Sequence, residues 1–275
     1  MTDTDVARPA PDTSGAGLSF VYALGQIEPR FPSLGVEKEF AQVLARTDAA
    51  GLTDRQAMRA AITDRENRYL ARSLCWVFSV EGLETYILVA RDPADLDLLL
   101  DSFRDEARRD DVDVVVGVRG PVAPPDLCNG LSVPVVVFDQ IYSFDRDSLV
   151  ASVPLPDTVP EDRAPQFRAT AGDLLGQLMQ LADNAGATDE HRALNYLLLR
   201  YPGLYAAAAE HYDRNFSFQG VEVRPSALGG VRRVVDVVLS FRHRETDALE
   251  QQYVRVDVTE EFPFLVSRLS RFYER

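Results

Sequence analysis

The chain has 275 residues, 46% of them hydrophobic, with 29 basic against 43 acidic side chains and a formal net charge of −14. That length can bury a substantial core. The acidic balance disfavours a general nucleic-acid binder, whose phosphate contacts need a basic face, and disfavours docking on anionic lipid. No apolar run approaches a membrane span, and no basic segment followed by an apolar stretch opens the chain. A cytoplasmic protein is expected, with neither nucleic acid nor membrane as partner. The charge permits steering of a basic peptide.

Residues 1–17 are small, polar and rich in proline and glycine, which predicts a disordered tail. A short strand follows from Phe20 to Leu24, and then a helix from Glu37 to Arg46, with Phe40, Val43 and Leu44 on one face. A second helix is predicted from Thr53 to Arg72. Thr53 can cap it, and Gln56 stands at the reciprocal capping position. The apolar runs Cys75–Val80 and Thr85–Ala90 flank Glu81-Gly82-Leu83-Glu84 and read as a hairpin. Asp92-Pro93 opens the next helix, with aspartate as cap, and Leu96, Leu99, Leu100 and Phe103 follow at helical spacing. The valine run from Val112 to Val118 predicts a buried strand. Pro121–Gly130 reads as a loop and Val133–Tyr142 as another strand, with Pro134 at its start.

Four prolines between Pro154 and Pro165 mark a linker or boundary. Beyond it, Phe167, Leu174, Leu175, Leu178 and Leu181 form one apolar helical stripe that ends at Asn184-Ala185-Gly186. Thr188 starts a helix that runs to Arg200. Tyr201-Pro202 breaks it, and the helix resumes from Leu204 to Tyr212. Strands are expected at Phe216–Val223, Val231–Arg242 and Gln251–Thr259, the last two forming a hairpin. These elements predict an α+β fold of mainly antiparallel sheets with packed helices, in two intertwined subdomains. The expected division is a tail at 1–17, an N-terminal α/β subdomain at 18–152, a proline-rich linker at 153–165, and helices with an antiparallel hairpin at 166–275.

Two cysteines, Cys75 and Cys128, do not make a disulfide framework, and three histidines stand at no recognised ligand spacing. Neither metal nor other cofactor is expected. Cys75, beside Trp76 in an apolar strand, reads as a small buried thiol. Cys128, in a Pro/Gly loop, is the better candidate for reactivity. Asp139 lies within the apolar strand VVVFDQIYSFD, where an acid is either paired or a base with a raised pKa. Cys128, His211 and Asp139 are therefore the catalytic candidates. Asp236 and Asp257 have the same standing as Asp139, and Arg255 alternates with Asp257, a pattern of cross-strand ion pairing. No phosphate loop, dinucleotide fingerprint or Gly-x-Ser-x-Gly elbow is present.

The more specific cluster is Asn195, Arg200, Tyr201 and Tyr205. An asparagine amid ALNYLLL is costly unless it bonds across the core. Arginine offers a planar fork for a carboxylate, and tyrosine offers rigid amphipathic area. The cluster either binds a peptide or locks the helix break against the sheet.

Four blocks carry a resemblance. They are FVYALGQIEPRFPSLGVEKEF from Phe20, LARSLCWVFSVEGLETYILVARDP from Leu70, APPDLCNGLSVPVVVFDQIYSFD from Ala123, and the last third, with ALNYLLLRYPGLY, GVEVRPSALGG and YVRVDVTEEFPFLVSRLSRFYER. In this order they resemble the C-terminal domain of cyanobactin maturation proteins of the PatG and PatA type. That domain ends multidomain proteins that process ribosomally made peptides, and it has no assigned function. The family usually continues the first block with Gly-Thr-Glu, where this chain has Leu34-Gly35-Val36-Glu37. None of the protease, cyclase or oxidase parts is represented, so none of those activities is expected. The resemblance implies a non-catalytic accessory protein that binds a precursor peptide or a maturation enzyme. The alternative is an enzyme acting on such a peptide through an acidic or Cys/His residue. The apolar tail EEFPFLVSRLSRFYER predicts burial on the chain's own sheet or on a second copy, in a homodimer.

Overall fold

The computed structural model of the chain describes residues 18–46, 51–108, 111–155, 159–179, 184–228 and 230–272. The tail expected at residues 1–17 lies outside them, as do residues 156–158 of the expected linker. The fold is α+β, built on two sheets.

The first sheet is a closed barrel of β1 (Phe20–Arg30), β2 (Cys75–Val80), β3 (Leu83–Ala90), β4 (Asp111–Val122) and β5 (Pro134–Asp145), in the order β1-β2-β3-β5-β4. Every pairing is antiparallel except β3 with β5. The β2–β3 turn needs only Glu81 and Gly82, both at positive φ, in the manner of the tight turns that match strand twist. At Gly117, beside a bulge in β4, a Cβ atom would lie 2.4 Å from the Val137 carbonyl oxygen, so only glycine lets β5 come this close.

Four helices follow the barrel strands on one side: α1 (Leu34–Leu44), α2 (Asp54–Thr63), α3 (Arg68–Ser73) and α4 (Leu96–Ser102). Their Phe40, Ile62, Leu70 and Leu99 pack with Val21, Trp76, Val115 and Phe138 of the barrel. The single helix expected from Thr53 to Arg72 is divided. The capping box of Thr53 and Gln56 forms, but Asp64 adopts extended backbone and caps a short 3-10 turn before α3. Asp92 likewise caps a 3-10 turn that leads into α4.

The opposite faces of β1 and β4 pack through Tyr22, Leu24, Val112, Val114 and Val116 on a second helical layer. The layer comprises α5 (Arg146–Ser152), α6 (Ala164–Met179), α7 (Asp189–Arg200) and α8 (Pro202–Asp213). The valine run of β4 is thus buried on both faces, which explains its lack of alternation. Helix α5 has no counterpart in the sequence reading. Its seven residues are too few for a periodic signal, although Asp145 caps it.

The second sheet contains β6 (Phe216–Pro225), β7 (Val234–His243), β8 (Leu249–Asp257) and β10 (Ser270–Arg271), in the order β10-β8-β7-β6, and β9 (Phe264–Leu265) also pairs with β8. Helix α7 lies between the sheets. Leu194 and Leu198 face the barrel-side core, while Ala193 and Leu197 pack on Val235, Val237, Val254 and Val256. As the alternation suggested, Arg255 makes a cross-strand ion pair; its partner is Asp236, directly opposite, at 3.0 Å.

Two expectations are corrected. Cys75 and Cys128 are not separate thiols. They form a disulfide that ties β2 to the loop between β4 and β5, with 5.8 Å between Cα atoms. The tail is also less buried than its apolar content predicts: Phe262, Phe264 and Val266 are 46%, 43% and 46% exposed. Two-residue strands bind it to β8, and Phe272 packs over Tyr253 on the sheet's outer face.

Candidate functional site

A cleft of about 690 Å³ lies where the barrel meets the second helical layer. Leu24, Val80 and Met179 give it apolar walls, while Gln26, Asp111 and Arg146 supply polar ones. Asn184 and Asn195 also line it. Asn195 sits on α7 with its side chain buried. Its Nδ2 donates to the Tyr22 carbonyl at 2.8 Å and to Asn184 Oδ1 at 3.1 Å, and Asn184 Nδ2 donates back to Asn195 Oδ1 at 2.6 Å. The pair therefore bolts α7 to β1. The junction is reinforced at Gly186, whose carbonyl accepts from the Tyr22 amide at 2.9 Å. Gly186 has φ of 68°, and a Cβ there would meet the Tyr22 carbonyl oxygen at 2.4 Å.

The four residues of the α7–α8 cluster do not share one surface. Tyr205 is buried, and its hydroxyl donates to the Leu198 carbonyl at 2.7 Å, so it locks the two helices together. Burial pushes its phenol well above the ordinary range. Tyr201 caps the break, and its hydroxyl accepts the Leu269 amide at 2.9 Å, which fastens the tail to the helices. Arg200 is exposed. It stacks 5.0 Å from the Tyr142 ring and bonds the Tyr22 hydroxyl. Of the four, Asn195 alone is among the residues that line this cleft; the packing of α7 between two sheets turns it inward, and Tyr205 is buried between α8 and α7.

The catalytic candidates also have structural partners. Cys128 is spent in the disulfide and is not available as a nucleophile. His211 is wholly buried, stacked 4.0 Å from Phe241, with Nδ1 2.7 Å from the Ala207 carbonyl and Nε2 3.3 Å from the Glu250 carboxylate. Asp139 pairs with Arg91 at 2.7 Å. Among the described residues no group of three or more His, Cys, Asp or Glu side chains could hold a metal ion.

Asp139 has a second neighbour that the sequence did not disclose, Glu261. Burial, followed by the Asp139 carboxylate, pushes the Glu261 carboxyl up to about 7, while Arg91 and Arg192 oppose the rise. A proton held by Glu261 lets it bond Asp139 across the gap between the tail and β5. A carboxyl raised in the folded state contributes stability that is complete below the unfolded pKa and is lost as pH rises through the folded value. Thermal stability is therefore expected to fall between about pH 5 and about pH 8. Glu261→Gln, which keeps a donor at all pH values, should flatten that slope. Melting curves of both proteins across this window are the check, and parallel curves would refute the raised Glu261 carboxyl.

Arg192 is the other residue missed. Its side chain is 1% exposed on α7, and it donates to the carbonyls of Val258 at 2.8 Å, of Glu261 at 3.2 Å and of Glu260. Asp189 lies 3.5 Å away, and the Phe20 ring lies 5.3 Å from the guanidinium carbon. Desolvation lowers its pKa to about 10, so it stays charged at neutral pH. The sequence signal was available, since Arg192 precedes Ala193 on the inward face of α7, but arginines are ordinarily read as surface.

Residues 161–272 match the PatG C-terminal family. A solved structure described as "PatG Domain of Unknown Function" aligns over 92% of this chain and 98% of its own, with 22% identity and a TM-score of 0.70. At that identity the likeness is one of fold. No curated protein matches the chain. No helix among the described residues is long and apolar enough to cross a membrane.

Proposed function

We propose that this chain, which carries a PatG C-terminal-type domain, is a non-catalytic accessory protein of cyanobactin-like peptide maturation that holds a precursor peptide in the cleft between barrel and helices. The pathway is supported by the family match. The act of binding is supported by one observation: the cleft combines apolar walls with a few convergent polar groups, in a volume of about 690 Å³ suited to several peptide side chains. The Asn184–Asn195 pair holds its floor rigid. Rigid floors lower the ordering cost of binding.

The test is calorimetry against a synthetic full-length precursor peptide. Val80→Arg, which puts a long charged side chain into the cleft, is expected to weaken binding at least about tenfold. Arg200→Ala lies outside the cleft and should leave binding unchanged. Equal binding by all three proteins would sink the cleft. Loss with Arg200→Ala alone would move the site to the exposed end of α7.

A second reading, an enzyme working through an acidic residue, is favoured by the Glu261–Asp139 pair, because a carboxyl poised near neutrality suits general acid–base work. Incubation with the same precursor followed by mass spectrometry separates the readings. A mass change lost in Glu261→Gln supports the enzyme, and an unchanged peptide supports the binder.

A further inference from the structure

From the free edge of β6 we infer that the protein forms a two-fold homodimer by antiparallel pairing of β6 with β6 of a second copy. In the second sheet, among the described residues, β6 pairs with β7 alone. The side of its ladder is fixed by Ser226, whose amide donates to the Val234 carbonyl at 2.8 Å. Bonded pairs alternate along an antiparallel ladder. Arg224 and Glu222 therefore bond toward β7, opposite Asp236 and Val238, while the backbone groups of Val221, Val223 and Pro225 point away from the sheet. Beyond the bulge at Phe218/Gly220, Tyr212 of α8 already covers the edge by taking the Phe218 amide. The open stretch is thus short and ends at a proline.

A second copy fits this stretch better than an arbitrary strand does. Centred on Val223, the segment Val221-Glu222-Val223-Arg224-Pro225 is complementary to itself. The two Val223 residues exchange both amide–carbonyl bonds. Each Val221 amide meets a Pro225 carbonyl; Pro225 has no amide to return, so the Val221 carbonyl at each end of the short ladder is left to water. On the outer face Glu222 falls opposite Arg224 of the other copy, twice over. Within one chain, Arg224, Asp236 and Arg255 already form a row across β6, β7 and β8. Asp236 is satisfied by Arg255 at 3.0 Å, and neither Glu222 nor Arg224 has an ion-pair partner among the described residues. Glu222 from a second copy would continue the alternation of charge. On the inner face Val221 and Val223 are half-buried, whereas Val235, Val237, Val254 and Val256 beside them are 0–3% exposed. Pairing would complete that apolar face. This places the dimer at the β6 edge rather than at the apolar tail, to which the sequence pointed.

The experiment is light scattering of the full chain and of two variants. The parent should show a concentration-dependent species at twice 30.6 kDa. Glu222→Arg sets arginine against Arg224 of the partner, and Arg224→Glu sets glutamate against Glu222. Each is expected to weaken the dimer about tenfold or more by turning two attractive cross-strand pairs repulsive. An equimolar mixture of the two variants restores both pairs and should dimerise like the parent. That recovery shows that the variants are folded. A parent that stays at 30.6 kDa at every attainable concentration overturns the inference. So do single variants that dimerise as well as the parent, or a mixture that fails to recover.

Discussion

Arg192→Met is expected to cost about 3 kcal/mol of stability, since truncating one partner of a buried charged network typically costs about 3–5 kcal/mol and two of its three acceptors lie where water can reach them. Methionine keeps most of the volume and the flexible stem, so packing against Phe20 is largely retained, and the loss isolates hydrogen bonding. The guanidinium gathers three carbonyls from the turn that follows β8, where the chain reverses toward Phe264. Without it, the buried Val258 carbonyl is left with no donor. The damage should be local before it is global. Hydrogen exchange across residues 258–266 should accelerate more than exchange in β7, because the Arg192 side chain bonds three carbonyls of that turn to α7. Arg192→Lys should recover part of the loss, since an ammonium satisfies fewer acceptors than the planar fork. Denaturant midpoints give the free energy. A methionine variant within about 1 kcal/mol of the parent would mean that water replaces the guanidinium at little cost.

The parts of this fold legible in the sequence are those governed by neighbours in the chain. The Thr53–Gln56 box, the Asp92 and Thr188 caps and the break at Tyr201-Pro202 all appear as read, because each is decided within four residues. The alternation of β8 likewise foretold an ion pair for Arg255. What stayed hidden is what distant segments decide. Closure of the barrel rests on the parallel pairing of β3 with β5, across a crossover that local patterns cannot reveal. From sequence, Asn195 reads as either a binding group or a core lock. Its 173-residue reach to the Tyr22 carbonyl belongs to the lock, yet it also forms the floor of the cleft. Glu261 stands in a plain acidic run, Thr-Glu-Glu, and acquires its character only from Asp139, brought up from β5. The candidate site is therefore half legible: its residue types were on view, and its partners were not.

Breaking the Cys75–Cys128 disulfide is the other change with a large expected effect. The bond closes a loop between residues 53 apart in sequence. In the chain-entropy account, a loop of that size restricts the unfolded state by about 4 kcal/mol. Both sulfurs lie among Val77, Ile87 and Ala123 with almost no exposure, so the linked loop is also part of a small apolar cluster. Reduction should lower the melting temperature by on the order of 10 °C. The double variant Cys75→Ala, Cys128→Ala should melt near the reduced parent and ignore reductant. Truncating a lone buried thiol would by contrast cost only about 1 kcal/mol. Unfolded but unreduced protein should yield no free thiol to a thiol reagent, and two after reduction. Two free thiols before reduction would refute the bond. The same measurement bears on where the protein works. Disulfides persist in oxidising compartments and are kept open by cytosolic reductants. A cytoplasmic accessory protein would then operate in the weaker, reduced form unless its burial protects the bond. The rate at which glutathione opens the native disulfide decides between these two states.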